Sequence, residues 1–157
     1  MVQSAVQQML HQVKWGNLDV LVIDLPPGTG DVQLTLTQTV FLSGAIIIST
    51  PQDLALIDAR KALEMFVKMD VPILGLVENM SFFLCPHCKG RSEIFEHGGV
   101  HQQALSLNLP FLLEIPLHMS IREMSEKGKP LPHALPTSEE AILYKNLAHK
   151  VFYTLSK

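Results

Sequence analysis

The chain has 157 residues, a formal net charge of −3 and 47% hydrophobic content, with only 12 Lys and Arg and no basic cluster. That length suits one domain, which can bury about 70% of its extended-chain surface, and the charge balance excludes a nucleic-acid or anionic-membrane surface. No apolar run approaches the roughly 20 residues of a membrane span, and the opening stretch MVQSAVQQMLHQVKWG lacks the charged and apolar regions of a signal peptide. The expectation is a soluble cytoplasmic protein, with the mitochondrial matrix as the alternative compartment.

In chain order, Val2, Val6, Met9 and Val13 recur at helical spacing and predict an amphipathic helix ending near Trp15-Gly16. Val20, Leu21, Val22 and Ile23 form an unbroken apolar run rich in β-branched residues, the pattern of a strand buried on both faces of a parallel sheet, with Asp24 at its carboxyl end. Ligands of open α/β sheets bind beyond those ends. An apolar strand with a terminal Asp suits a Walker B element, whose carboxylate reaches a magnesium ion; it equally suits a loop former or helix cap. The next residues, Leu25-Pro26-Pro27-Gly28-Thr29-Gly30-Asp31, make a loop stiffened by prolines at one end and freed by glycines at the other, which can switch.

A helix is expected over Val32 to Leu42 and a second buried strand over Gly44 to Thr50. Thr50, Pro51 and Asp53 supply a cap, a first-turn proline and an N-terminal acid for a helix whose inner stripe is Ala55, Ala59, Ala62, Phe66 and Met69. Ile73 to Glu78 predicts a third buried strand ending at Asn79, a residue that serves as a turn former there. Phe82 to Phe95 reads as a loop or hairpin, Gly98 to Leu107 as a helix, Phe111 to Ile115 as a strand and Ile121 to Lys127 as a short helix. Leu131 to Pro136 should be extended by its prolines. Thr137-Ser138-Glu139-Glu140 is a capping box for a closing helix with Tyr144, Leu147, Ala148, Val151 and Leu155 inward. Strands alternating with helices across short loops imply an α/β fold, a doubly wound and mostly parallel sheet with flanking helices.

The two cysteines stand in Cys85-Pro86-His87-Cys88-Lys89-Gly90, a tight knuckle in which two thiolates can face one metal. Two thiolates are half of a tetrahedral zinc site or of a 4Fe-4S site, and a two-fold dimer would complete the count. Other readings stay open: an intrachain zinc site completed by His87, His97 or His101, a thioredoxin-like redox pair, or a vestigial pair.

The stretches DLPPGTGD, STPQDLALIDARKA, GLVENMSFFLCPHC and IPLHMSIRE together resemble the Mrp/ApbC family of iron-sulfur cluster carrier ATPases, relatives of MinD, over almost the whole chain. The resemblance implies a P-loop NTPase-like domain with a CxxC knuckle insertion. It also implies a labile 4Fe-4S cluster bridging a homodimer through Cys85 and Cys88, passed on to apo iron-sulfur proteins. By the same resemblance Asp24 holds the water shell of Mg-ATP, Gly28 and Asp31 belong to the loop that senses the γ-phosphate, and Asn79 faces the adenine, Asp24 and Asp31 being the catalytic pair. The family's P-loop, GxxxxGK[ST], does not occur in the sequence: the one Gly-Lys pair, Gly128-Lys129, precedes Pro130. Residues 1–157 are therefore expected to form a single, incomplete nucleotide-binding domain lacking its first strand. Such a domain would be inactive toward ATP alone and would need a separate N-terminal P-loop segment as partner. The alternative function is a non-catalytic zinc-knuckle module for dimerisation or regulation.

Overall fold

The sheet is built around one long strand. In the computed structural model, which describes residues 2–26, 28 and 30–156, β2 (Ile73–Leu84) pairs in parallel with β1 (Ala45–Ser49) on one edge and with β4 (Phe111–Leu117) on the other. The short β3 (Arg91–Ser92) returns antiparallel to the end of β2, so the sheet is mixed. Successive side chains of β2 point to opposite faces, and both faces are apolar at its centre. Leu76 joins Ile47 on one side, under α3 (Asp53–Lys68) and α4 (Gly99–Ser106), whose Ala59, Leu63, Phe66, Val100 and Ala104 fill that core. Val77 joins Leu112 and Ile115 on the other side, under Ile121 of α5 (Met119–Glu126) and Tyr144, Leu147 and Val151 of α7 (Glu139–Leu155). Each buried aliphatic side chain stabilises the fold by about 1.5–3 kcal/mol. The expected doubly wound arrangement follows from these two cores.

Local signals account for most helix boundaries. Ser138 caps α7 by accepting from the Ala141 amide at 3.1 Å, while Glu140, the other half of the expected box, lies 3.7 Å from His118 instead. Ahead of α3, Thr50 does not cap: its hydroxyl meets Gln52 Oε1 at 3.3 Å, and Gln52 occupies the cap position. The α3 stripe packs as expected at Ala59 and Phe66, joined by Leu63 and Met65.

Further expectations are corrected. Residues 18–26 form no strand, and Val20, Leu21 and Val22 are exposed, because among the described residues no strand offers this run a ladder. Leu131 to Pro136 is not extended; Leu131–Ala134 forms the short helix α6, since Pro132 falls in the first turn where a missing N–H costs nothing. Asn79 does not end its strand, because β2 continues to Leu84. The first helix, α1 (Val2–His11), stops short of Trp15 and lies against α2 (Asp31–Thr39). The Val2 side chain, Pro27 and Thr29 lie outside the described residues.

Candidate functional site

The loop that leaves residues 18–26 is tied to α2 by one side chain. Gln33, 3% exposed, donates from Nε2 to the Pro26 carbonyl at 2.7 Å. Gly28 takes φ +100, a conformation open to glycine, and Gly30 precedes α2 in extended geometry without a side-chain cap. Asp31 is the first residue of α2, where its carboxylate faces the positive end of the helix dipole. Asp24 is exposed on irregular backbone rather than held at a strand end. The three residues assigned to the switch thus share one segment.

Asn79 sits at a bend. Between the pairs Asn79↔Ile115 and Phe83↔Leu117 β2 advances four residues while β4 advances two, and Met80 takes φ +54 to absorb the surplus. Asn79 Oδ1 accepts from the Met80 amide at 3.0 Å, a bond that leaves its Nδ2 donors unengaged.

Beyond the bend, β2 and β3 form a hairpin through Phe83↔Ser92 and Leu84↔Arg91, and its loop carries both cysteines. The Cys85 amide donates to the Gly90 carbonyl at 2.9 Å and the Lys89 amide to the Cys85 carbonyl at 2.9 Å, with Lys89 at φ +58. A Cβ on Gly90 would come within 3.3 Å of Cys88 Sγ, so glycine leaves room beside that sulfur. Both thiols are free, Cys85 half-buried and Cys88 exposed. The Cys85 thiol is held below its ordinary value, chiefly by the backbone N–H of Cys88, then by that of His87 and by the Cys88 thiol, with Lys89 assisting and burial opposing. Backbone donors aimed at the Cys85 sulfur, a Cys85 thiol held below its ordinary value and an exposed Cys88 beside it fit a thiophilic metal or an iron-sulfur cargo.

The rival readings fare differently. A thioredoxin-like pair should open a helix, whereas these residues close a hairpin. His101 stacks on Phe111 with ring centroids 4.7 Å apart, and His97 belongs to another cluster. Among the described residues the one trio of convergent ligand-type side chains is Glu78, His97 and Glu114, which contains no cysteine.

That cluster was not anticipated. Glu78 is fully buried, and its carboxylate accepts from Ser81 Oγ at 2.6 Å, the Val100 amide at 2.9 Å and the Gly98 amide at 3.2 Å, capping α4 from the neighbouring strand. Its one sequence signal is an acid closing the apolar run ILGLV, which only burial turns into information.

A mixed, mostly parallel sheet covered by helices on both faces, a glycine-bearing loop entering a helix and a dithiol loop at the end of the central strand define an α/β domain fitted with a thiol-bearing arm. Residues 1–152 match the model of the ParA-type family described as NUBPL iron-transfer P-loop NTPases, and the chain belongs to that family. The mouse iron-sulfur cluster transfer protein NUBPL is 53% identical over 151 residues, covering 96% of this chain and 47% of the mouse protein. The chain therefore spans about half the length of the curated relatives it matches. A nucleotide-binding protein of Archaeoglobus fulgidus, solved with ADP, superposes with a TM-score of 0.73 at 39% identity over 82% of this chain and 53% of its own. The cell-division ATPase MinD of Pyrococcus furiosus shares the fold, with a TM-score of 0.70 at 21% identity over 98% of this chain and 57% of its own.

Proposed function

We propose that the chain is the cargo-holding part of an iron-sulfur cluster carrier, in which Cys85 and Cys88 hold a labile 4Fe-4S cluster jointly with the same pair of a second copy. The carrying observation is the dithiol loop itself: two free thiols, one with its thiolate favoured by backbone donors, on the loop of the β2–β3 hairpin. Two ligands per chain against four per cluster make a homodimer the simplest closure. Incomplete burial of the sulfurs suits a cluster meant to leave, and apo iron-sulfur proteins are its recipients. Two free cysteines in CxxC spacing suit a reducing compartment, the cytoplasm or the mitochondrial matrix.

Nucleotide coupling belongs to the same proposal. Asp24 is assigned to the water shell of Mg-ATP, Gly28 and Asp31 to the loop that responds to the γ-phosphate, and Asn79, through its amide, to the adenine edge. The backbone amides and lysine that neutralise the phosphates would come from a P-loop that residues 1–157 do not contain, so residues 1–157 alone are not expected to hydrolyse ATP.

Anaerobic reconstitution with iron and sulfide tests the cargo. The expected product is brown, dimeric, and holds about one 4Fe-4S cluster per two chains, as the ligand count requires. Zinc in place of iron, or a colourless monomer, would return the function to a dimerisation or regulatory knuckle.

A further inference from the structure

Beyond the cysteines and the nucleotide residues, one polar network spans the hairpin, the bend of β2 and the start of α4. The Ser81 hydroxyl has one proton, and its 2.6 Å contact with Glu78 Oε1 uses it. Ser81 Oγ can then only accept from His97 Nδ1, 3.3 Å away, which makes Nδ1 the donor of that contact. Arg91 Nη2 lies 3.3 Å from both ring nitrogens, Nδ1 and Nε2. A chain of contacts therefore runs from Arg91 through the His97 ring and Ser81 to Glu78, which also takes two amides of the α4 start. Arg91 is further held by Glu114 at 3.4 Å and by the Phe82 ring, 4.0 Å beneath its guanidinium.

The trio Glu78, His97 and Glu114 has the composition of a divalent-metal site. Yet both Glu78 oxygens are already accepting, and the Arg91 guanidinium is the cation that meets His97 and Glu114. Arg91 is three residues past Cys88 and directly opposite Leu84, the residue before Cys85, so whatever fixes Arg91 fixes the base of the dithiol loop.

We propose that Arg91 is a positioning residue for the Cys85/Cys88 loop, anchored through His97 and Ser81 to the buried Glu78 carboxylate and through Glu114 to β4. Its consequence for cargo retention rests on the cysteine pair being the cargo site; its consequence for the loop does not. The anchor joins the hairpin to the residue immediately before Asn79, so the thiols and the nucleotide-side bend are held by one set of bonds.

Two measurements on the full chain separate these claims. In metal-free protein, hydrogen exchange of the Cys85 and Lys89 amides should quicken about tenfold in Arg91→Ala and in His97→Ala, with the double variant no faster than either, while Leu76 and Val77 keep their protection. Arg91→Lys, which keeps the charge but loses the planar fork, should recover only part of the effect. With cobalt(II) as probe, the thiolate-to-cobalt band should form in each of these variants but be lost to EDTA about tenfold faster than in wild type, in proportion to the exchange result. Unchanged exchange in both alanine variants overturns the proposal. So does cobalt uptake by Cys85→Ser/Cys88→Ser protein that disappears on adding Glu114→Gln, which would make the trio a metal site. If wild-type protein forms no thiolate band while Arg91→Ala still loosens the loop, the cargo reading fails and the positioning role stands.

Discussion

Gln33 Nε2 and the Pro26 carbonyl oxygen are hydrogen-bonded at 2.7 Å across seven residues, joining the floor of α2 to the loop that precedes it. Because Gln33 is buried, this bond is the tether that gives the loop a defined entry to the helix. Gln33→Leu keeps the volume and removes the donor, and should destabilise the fold by roughly 1 kcal/mol, the net worth of one such bond. The sharper expectation is local: amides near Gly28 and Gly30 should exchange several-fold faster while β2 is unaffected. Equal exchange in variant and wild type would show that the loop is held by something else.

Gly75 packs its backbone on β4. A Cβ there would fall 2.6 Å from Leu112 Cγ and 2.8 Å from the Pro110 carbonyl, and φ is +153, a region side chains avoid. Gly75→Ala should therefore cost roughly 2–4 kcal/mol, combining backbone strain with overpacking. Urea denaturation should show a lower midpoint with an unchanged slope. A shift below 0.5 kcal/mol would mean the two strands part more easily than their contact suggests.

Where sequence and structure agree, the cause is local. The period of Ala59 and Phe66, the cap at Ser138 and the β-branched run Ile46, Ile47 and Ile48 each act over a few residues, and each element formed as expected. The same local logic misread Val20 to Ile23: a run built for burial on two faces becomes a strand only if a neighbour pairs with it, and none does here. Asn79 does not end its strand because the irregularity at Met80 lets β2 carry on and pair again at Phe83, a register event with no composition signal. The tight turn that carries the cysteines was legible from CPHCKG, while the hairpin pairing that closes it is one of two readings that Phe82 to Phe95 allows. The Glu78 network was not, since Glu78 and His97 lie 19 positions apart and meet only through the fold.

Cys85 should titrate below the ordinary thiol value of 9.0, the Cys88 amide being the largest cause. A group whose folded-state value is lowered favours the folded state above its unfolded value, and that contribution fades as pH falls through the lowered value. Alkylation by iodoacetamide follows the thiolate, so the rate at Cys85 should reach half its maximum at a lower pH than in urea-unfolded protein. Cys88→Ala removes the neighbouring thiol but keeps the amide, and should move the midpoint only partway back. Metal uptake displaces the same proton and should weaken along the same pH curve. A Cys85 midpoint at or above the unfolded one would remove the basis for a poised thiolate.

The last prediction concerns the open edge of the sheet. Among the described residues β1 pairs with β2 alone, and Ile48 on β1 and Val22 in the unpaired run are 58% and 86% exposed. An open edge on β1 and an apolar run with no ladder each offer a template for an added strand, since unpaired backbone groups and bare apolar side chains are both costly. A polypeptide carrying a strand and a P-loop, taken from the part of the mouse relative that this chain does not span, should pair with both when mixed with it. Amides of residues 20–23 should then gain protection, and Asp24 should come to rest at a strand end. Mg-ATP titration should turn from millimolar or weaker binding by the chain alone to micromolar binding by the mixture, a gain of about 4 kcal/mol for a thousandfold change. Micromolar affinity without the added segment would show that residues 1–157 already hold the phosphates, and the division of labour proposed for the nucleotide site would be wrong.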